Sequence, residues 1–439
     1  MSLLGALNSS VSGLTAQATA FSNISENVAN AQTVGFKEVD TSFVDYLTTS
    51  NNAVNEPGAV VARPDYANSK QGSVTQTSNP LNLAIAGQGF FPVSQATGTV
   101  SNVTSFSPQQ YYTRAGDFQV NANGYLVNSA GLYLNGWQVN STTGAANQNS
   151  LAPIQVSQSV FNPVATSTVQ LAANLPATPT AGTATAGSPI SSDINVYDSL
   201  GTEHTLALSW VQNAANDWTV SVNAPSSTPS TLGSADVTFG PTSGNAVTAG
   251  TIGQIGTVTG SVTTTGYAAG QPAALSFSAN FGSGAQNISL NLGTYGLTNG
   301  VTQYAGSAYS LGGLTQDGVP PGSFSSVAAQ SDGSVVVNYN NGQSRTIAQV
   351  PITTFAAPNK LQSQNGQAFT ATLLSGTPTA DAANANGAGN IVTSAVEASN
   401  VDIASQFTHL IVAQQAYSAN AKMITAANQL LTTTIDMKQ

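Results

Sequence analysis

The stretch Asn400 to Gln439, NVDIASQFTHLIVAQQAYSANAKMITAANQLLTTTIDMKQ, decides how the rest of the chain must be arranged. Ile403, Phe407, Leu410, Gln414, Tyr417, Ala421, Ile424, Asn428, Leu431 and Ile435 follow one another at alternating spacings of four and three. That is the seam of a helix that packs on another helix. Ser399, with Asp402 three residues on, reads as a capping-box-like start: a hydroxyl for the first free amides and a carboxylate in the positive end of the helix dipole. From Val401 to Asp436 the helix would run on the order of 54 Å, too long for the core of an ordinary compact domain. Its other face carries Ser, Thr, Asn, Gln and Ala, with only Asp402, His409, Lys422, Asp436 and Lys438 able to hold charge. No Glu and Lys pair four apart supports it, so alone in water it should be marginal. Periodicity by itself also fits an amphipathic surface helix of one globular domain. Length and lack of charge point instead to a helix covered on both faces, by a partner helix and by neighbouring subunits.

The partner is at the other end of the chain. Leu4, Leu7, Val11, Leu14, Ala18, Phe21 and Val28 give residues 1–32 the same seam. Gly5 and Gly13 each cost up to about 1 kcal/mol relative to Ala, so contacts beyond the helix must stabilise it. Both ends are therefore expected to be disordered in an isolated subunit and ordered by assembly.

Charged residues are 6% of the 439, against about 25% in an average chain, so most of the surface must be neutral and polar. The formal net charge is -10, from 8 basic and 18 acidic residues, which argues against nucleic acid or an anionic membrane as partner. With no cysteine, disulfides, thiolate metal sites and thiol nucleophiles are excluded. No apolar run is long enough to insert in a membrane. Met1 to Ala20 lacks a basic start and an unbroken apolar core, so a cleaved signal peptide is not expected.

Between the ends the chain reads as β structure. Residues 33–70, with Asn51-Asn52, Pro57-Gly58 and Arg63-Pro64, read as a loop or extended connector. Asn123-Gly124 and Asn341-Gly342, each between alternating runs, predict hairpins. Gly87-Gln88-Gly89 has no following lysine or helix start and reads as a strand turn. Residues 71–152 and 321–399 form one discontinuous β domain, and 153–320 an inserted outer β domain whose Leu206, Leu208 and Trp210 share a buried face. Pro176 to Pro189 and Ser226 to Thr265, rich in Pro, Thr, Gly and Ala, read as long loops. The fold class is α+β: all-β middle and outer domains, with a long N-terminal and C-terminal helical pair as an inner coiled-coil domain.

SENVANAQTVGFK, Ser25 to Lys37, resembles the N-terminal signature of the bacterial flagellar axial proteins, the family of rod, hook and hook-filament junction subunits. SNVDIASQFTHLIVAQQAYSANAKMI, Ser399 to Ile424, resembles that family's C-terminal signature, and INVYDSLGTEHTLALSW, Ile194 to Trp210, resembles the outer domain of its hook subunits. The resemblance implies paired terminal helices lining a tube, with assembly residues Leu4, Leu7, Val11, Leu14, Phe21, Asn27, Asn30, Gly35, Phe36, Asn400, Val401, Asp402, Phe407, Leu410, Tyr417, Asn420, Ile424 and Leu431. It further implies a homopolymer, contacts with distal rod protein, hook cap and hook-filament junction proteins, and passage through the flagellar export apparatus. Relatives usually carry arginine at Gln415 and acidic residues at Ala427, Asn428 and Gln429, so ion pairs there do not carry over. A distal rod protein of the same family, or a secreted β-rich adhesin, are the competing readings.

Chemistry finds little footing. Asp193, Asp198, Glu203 and His204 match no metal or acid-base spacing and read as a solvated turn. His409 lies between Phe407 and Leu410 without a nearby carboxylate and reads as a packing or interface residue. No enzymatic activity, metal or cofactor is expected.

Overall fold

Two helices bracket a chain that is otherwise strand: α1, Leu3–Ala29, and α2, Ile403–Asp436. The computed structural model describes residues 3–50, 55–100, 103–140 and 143–437, and the side chains of Leu4 and Ile435 lie outside what it describes. Helix α2 is capped by Asp402, whose carboxylate accepts from Ala404 N at 2.9 Å and Ser405 N at 3.3 Å. The start is therefore later than the expected Ser399 cap, because Asn400 is needed elsewhere. Its Oδ1 accepts from Glu38 N at 2.7 Å while its Nδ2 donates to Ala67 O and Lys70 O. Ser399 Oγ only accepts from Val401 N.

Most of the expected connector at 33–70 is regular strand. Strands β1, Val39–Ser50, and β2, Asn55–Tyr66, pair antiparallel over their whole length. Val39, Thr41, Phe43, Val44, Tyr46, Val60 and Val61 supply the strand propensity. Pro57 and Pro64 are tolerated because both strands of a lone hairpin are edges.

The chain forms two compact units. The first comprises Met1–Gln158, Ser325–Asn338 and Ser344–Gln439; the second comprises Ser159–Phe324 and Tyr339–Gln343. In the first, a 12-stranded sheet interleaves the two halves of the chain: Ser344–Gln349 pairs with Leu132–Val139, and Ala368–Thr370 with Tyr111–Thr113. Val74–Gln76 pairs with Ala395–Glu397 and Leu83–Ala86 with Asn390–Thr393. Hairpins close at Asn123-Gly124 and Asn341-Gly342, the former through Asn121, whose N donates to Tyr125 O at 2.9 Å.

The second unit is a sandwich. Ile190–Tyr197, Glu203–Ala214, Asp217–Asn223, Thr231–Phe239 and Ile252–Val258 form an antiparallel meander. A 6-stranded sheet built on Thr168–Pro176 covers it, and one core joins Leu206, Leu208, Trp210 and Trp218 to Leu171, Leu275 and Leu290. The expected loop at Ser226 to Thr265 thus contains three strands, Thr231–Phe239, Ile252–Val258 and Thr263–Thr264, with turns and loops between them. Leu232, Val237, Phe239, Ile252 and Ile255 are buried, and the Thr and Gly around them dilute the composition without breaking the alternation.

The first unit is tied together by a buried ion triad. Glu397, wholly buried, accepts from Lys37 Nζ at 2.5 Å on one oxygen and from Arg114 Nη1 at 2.8 Å on the other. Gly72 N also donates to it, at 2.8 Å. Arg114 continues to Gly87 O at 2.7 Å and lies 5.3 Å from the Phe90 ring centre, and Lys37 continues to Lys70 O at 2.7 Å. Gly35 packs beside the triad at φ +70, where a Cβ would sit 2.4 Å from Ala115 N, so no other residue fits without moving backbone. The triad clamps the segment after α1 to the segment before α2, fixing where both helices leave the β domain.

Two cations share one carboxylate there, and burial holds the Lys37 ammonium below its usual range despite Glu397, with Arg114 adding to the depression. Glu397→Gln strands two cations and should cost the first unit about 3–5 kcal/mol in urea unfolding. Lys37→Met leaves the Arg114 pair intact and should cost less, on the order of 1–2 kcal/mol. A lowered lysine pKa means the unfolded chain holds more protons just below the usual lysine value of 10.5. Stability should therefore gain with rising pH in that alkaline window in the parent relative to Lys37→Met, and equal pH profiles would contradict this.

Candidate assembly surface

Helices α1 and α2 lie antiparallel: Asn27 meets Gln406, Phe21 meets Tyr417, and Gly13 faces Asn420. The seam on α2 is Gln406, Leu410, Ala413, Tyr417, Asn420, Ile424, Ala427 and Leu431, again at spacings of four and three. Leu410, Tyr417, Ile424 and Leu431 coincide with the sequence expectation; the alternate positions fall one residue earlier. Phe407, 51% exposed, lies off the seam, and so do Ile403, Gln414 and Asn428. The shift follows from the small and polar character of the real contact. Ala413 and Ala427 let the helices approach, and Gln406 reaches polar partners that a count of apolar residues overlooks.

On α1 the contact is divided between two neighbours. Ala16, Ala20 and Ile24 are buried and Leu7, Leu14 and Phe21 half-buried, whereas Val11, 49% exposed, and Ala18, also exposed, were expected on the seam and lie off the contact. The other side of α1 meets the hairpin. Asn23 Nδ2 donates to Thr41 Oγ1 at 2.9 Å, and Val60 N donates to Ser12 Oγ at 3.1 Å. Asn27 is the hub: it exchanges bonds with the Val39 backbone at 2.9 and 3.0 Å and donates to Gln406 Oε1 at 3.2 Å. Gln406 then donates to Glu38 Oε1 at 2.7 Å. One buried amide thus sets the register of helix, hairpin and helix together. Asn30 accepts from Thr33 Oγ1 and donates to Glu26 O, closing α1, and Phe36 is buried below it. Val401 is half-buried at the foot of α2.

Helix α2 also leaves large apolar side chains uncovered. Ile403, Phe407 and Ile411, four apart, form one flank of the seam; Val412, Met423, Leu430 and Met437 form the other, by the 3.6-residue turn. The sequence reading missed Ile411, Val412, Met423 and Leu430 because a single seam was fitted to a helix with three apolar sides. Between the flanks, facing away from α1, stand Gln415, Lys422 and Thr433. A groove of about 270 Å³ between α1, β1 and α2 is lined by Ala20, Ile24, Phe43, His409 and Val412, which places His409 at an open apolar edge. Exposed large apolar groups in this density mark a surface that meets another macromolecule.

The acidic cluster of the second unit is a different matter. Asp198 is buried, accepting from Leu200 N at 2.9 Å and Thr202 N at 2.8 Å, with His204 Nε2 at 3.3 Å, and these bonds hold its carboxyl below the usual range against its burial. It is a structured turn rather than a solvated one, because the side chain caps its own loop. His204 stacks on Phe281 at 4.1 Å and its Nδ1 lies 2.9 Å from Ser226 Oγ. Among the described residues no group of three or more His, Cys, Asp or Glu is placed to hold a metal ion.

Four family models match the chain. A flagella basal body rod protein model matches residues 7–37, the flagellar hook protein FlgE/F/G D1 domain 84–171, the flagellar basal body protein FlaE D2 domain 165–319, and the flagellar basal body rod FlgEFG protein C-terminal model 392–437. The flagellar hook protein FlgE of Brucella suis is 31% identical, covering 100% of both chains, and that of Salmonella typhimurium is 30% identical over 98% of each. A looser likeness is to the solved Helicobacter pylori flagellar hook protein FlgE2, at TM-score 0.47 and 13% identity, covering 74% of this chain and 100% of that one. With nearly a third of its residues shared along its whole length, the chain belongs to the flagellar hook protein FlgE family.

Proposed function

We propose that the chain is a structural subunit of the bacterial flagellar hook, polymerising into a curved hollow tube that joins rod to filament and carries motor torque around a bend. The observation that carries this is α2: one side is covered by α1, and two apolar flanks are left exposed among the described residues. Lateral neighbours that bury both flanks would build a continuous helical inner wall, stiff because each helix is held on three sides. The β units, poor in charge and, over residues 159–324, carrying six acidic and no basic residues, would form the outer layers, where small polar contacts slide as the tube bends. The role is mechanical and needs no catalytic group. Export through the flagellar apparatus without a cleaved signal peptide, an extracellular position, and contacts with distal rod, hook cap and junction proteins complete the reading. The D2 domain match over 165–319 and full-length likeness to hook proteins favour the hook over a rod subunit.

Concentrated purified protein should form tubes visible by electron microscopy. Phe407→Ser combined with Leu430→Ser should abolish them while leaving the unfolding of the β units within about 0.5 kcal/mol of the parent, since exposed positions contribute little to monomer stability. Tubes of normal length from that variant would contradict the proposed inner wall.

A further inference from the structure

The turn formed by residues 371–376 belongs to neither helix and presents two leucines to solvent. Leu373 and Leu374 are 102% and 76% exposed, more than any other described leucine. The backbone that carries them is locked. Thr372 N donates to Ser375 Oγ at 3.0 Å, Ser375 N donates back to Thr372 Oγ1 at 3.1 Å, and Ser375 Oγ donates to Thr372 O at 2.9 Å. Ser375 is wholly buried, and Thr372 Oγ1 donates to Lys360 O at 2.8 Å. Two apolar side chains are thus held out on a rigid knob, with no charged residue between Lys360 and Asp381. Such a knob has lost much of its conformational entropy before any partner arrives, which favours binding.

An uncharged apolar knob needs an apolar receptor, and the groove between α1, β1 and α2 is one. Ala20, Ile24, Phe43, Val412 and Ala413 line it, and Phe43 and Val412 are 46% and 60% exposed. Asp40 also borders it, with its carboxylate accepting from Thr41 N at 2.7 Å. Three other grooves are polar: one is bordered by Asn140, Ser344 and Arg345, another by Gln170, Asn291 and Asn299, and a third by Glu26, Asn30, Lys37 and Gln367. Knob and groove also stand at one height on the molecule. The knob is tied to Lys360, the neighbouring Pro358 O accepts from Asn68, Lys70 pairs with Glu38, and Glu38 accepts from Gln406 in the groove wall. The exposure of Leu373 means that the chain does not fill its own groove. We propose that the Leu373–Leu374 knob of one copy docks in this groove of a second copy at the same level of the tube. A knob and a receptor at different places on one molecule make a head-to-tail contact, which closes into rings or winds into a helix. Docking there covers Val412, where the second apolar flank of α2 begins.

The inference rests on the chain being a homopolymer, and the test separates the two. Leu373→Ser combined with Leu374→Ser should raise the critical concentration for polymerisation on the order of tenfold. Urea unfolding of the monomer should not change, because both side chains are exposed. To identify the receptor, Leu373→Cys protein is mixed with size-tagged Val412→Cys protein, the parent having no other thiol. In polymer grown from the mixture, a short bismaleimide should link the two variants. It should not do so in the dilute mixture, nor when Leu200→Cys, at an exposed site of the second unit, replaces Val412→Cys. A serine variant that polymerises like the parent, or linking no stronger than in the Leu200→Cys control, would overturn the contact and leave the polymer reading standing. A parent that forms no tubes would overturn both.

Discussion

A single long helix with three apolar sides and one partner is the constraint from which the rest follows. Helix α2 buries Ala413, Ala427 and Gln406 against α1, yet leaves Phe407, Ile411, Val412 and Leu430 more than half exposed. Its remaining surface carries hydroxyls and amides rather than charges, and several hydroxyls turn inward to the helix's own carbonyls, as Thr408 does to Ala404 and Thr432 to Asn428. Such back-bonding leaves little polar surface committed to water. A monomer gains little from this arrangement. A polymer gains continuous burial on both flanks without having to desolvate charged pairs.

The helices are useful to a tube only if they leave the β domain at a fixed angle, and here charge is used where the chain otherwise avoids it. Lys37, Arg114 and Glu397 account for three of the chain's 26 charged residues (8 basic and 18 acidic), and all three are buried together. The geometry is over-determined: Gly35 N donates to Glu397 O at 2.8 Å, Asn400 clips Glu38 to the Ala67 and Lys70 carbonyls, and Asn27 ties α1 to β1 and α2. Directional bonds of this kind define orientation where apolar contact alone would permit sliding. Rigid exits of this kind would suit a subunit that must transmit twist.

Much of this was legible in the sequence, and the misses have physical causes. The helical ends and the shared face of Leu206, Leu208 and Trp210 could be read because periodicity survives a dilute composition. The seam was displaced by one position at Phe407 because size was weighed above fit: alanine and glutamine make the contact, and the larger side chains point outward. The hairpin Val39 to Tyr66 was hidden by Pro57 and Pro64, which signal loops in central strands but not in a two-stranded ribbon. The triad was not legible at all. Lys37, Arg114 and Glu397 are far apart in sequence and share no spacing, and only the Gly35 to Lys37 segment marked the place.

The central claim is that α2 is stabilised by its neighbours more than by its own subunit. Amide hydrogen exchange on residues 407–434, measured in dilute monomer and in assembled polymer, tests it most directly. The account predicts rapid exchange of these amides in the monomer, while the sandwich strands around Trp210 and Trp218 stay protected, and strong protection of both in the polymer. Equal, strong protection of α2 in monomer and polymer would contradict it.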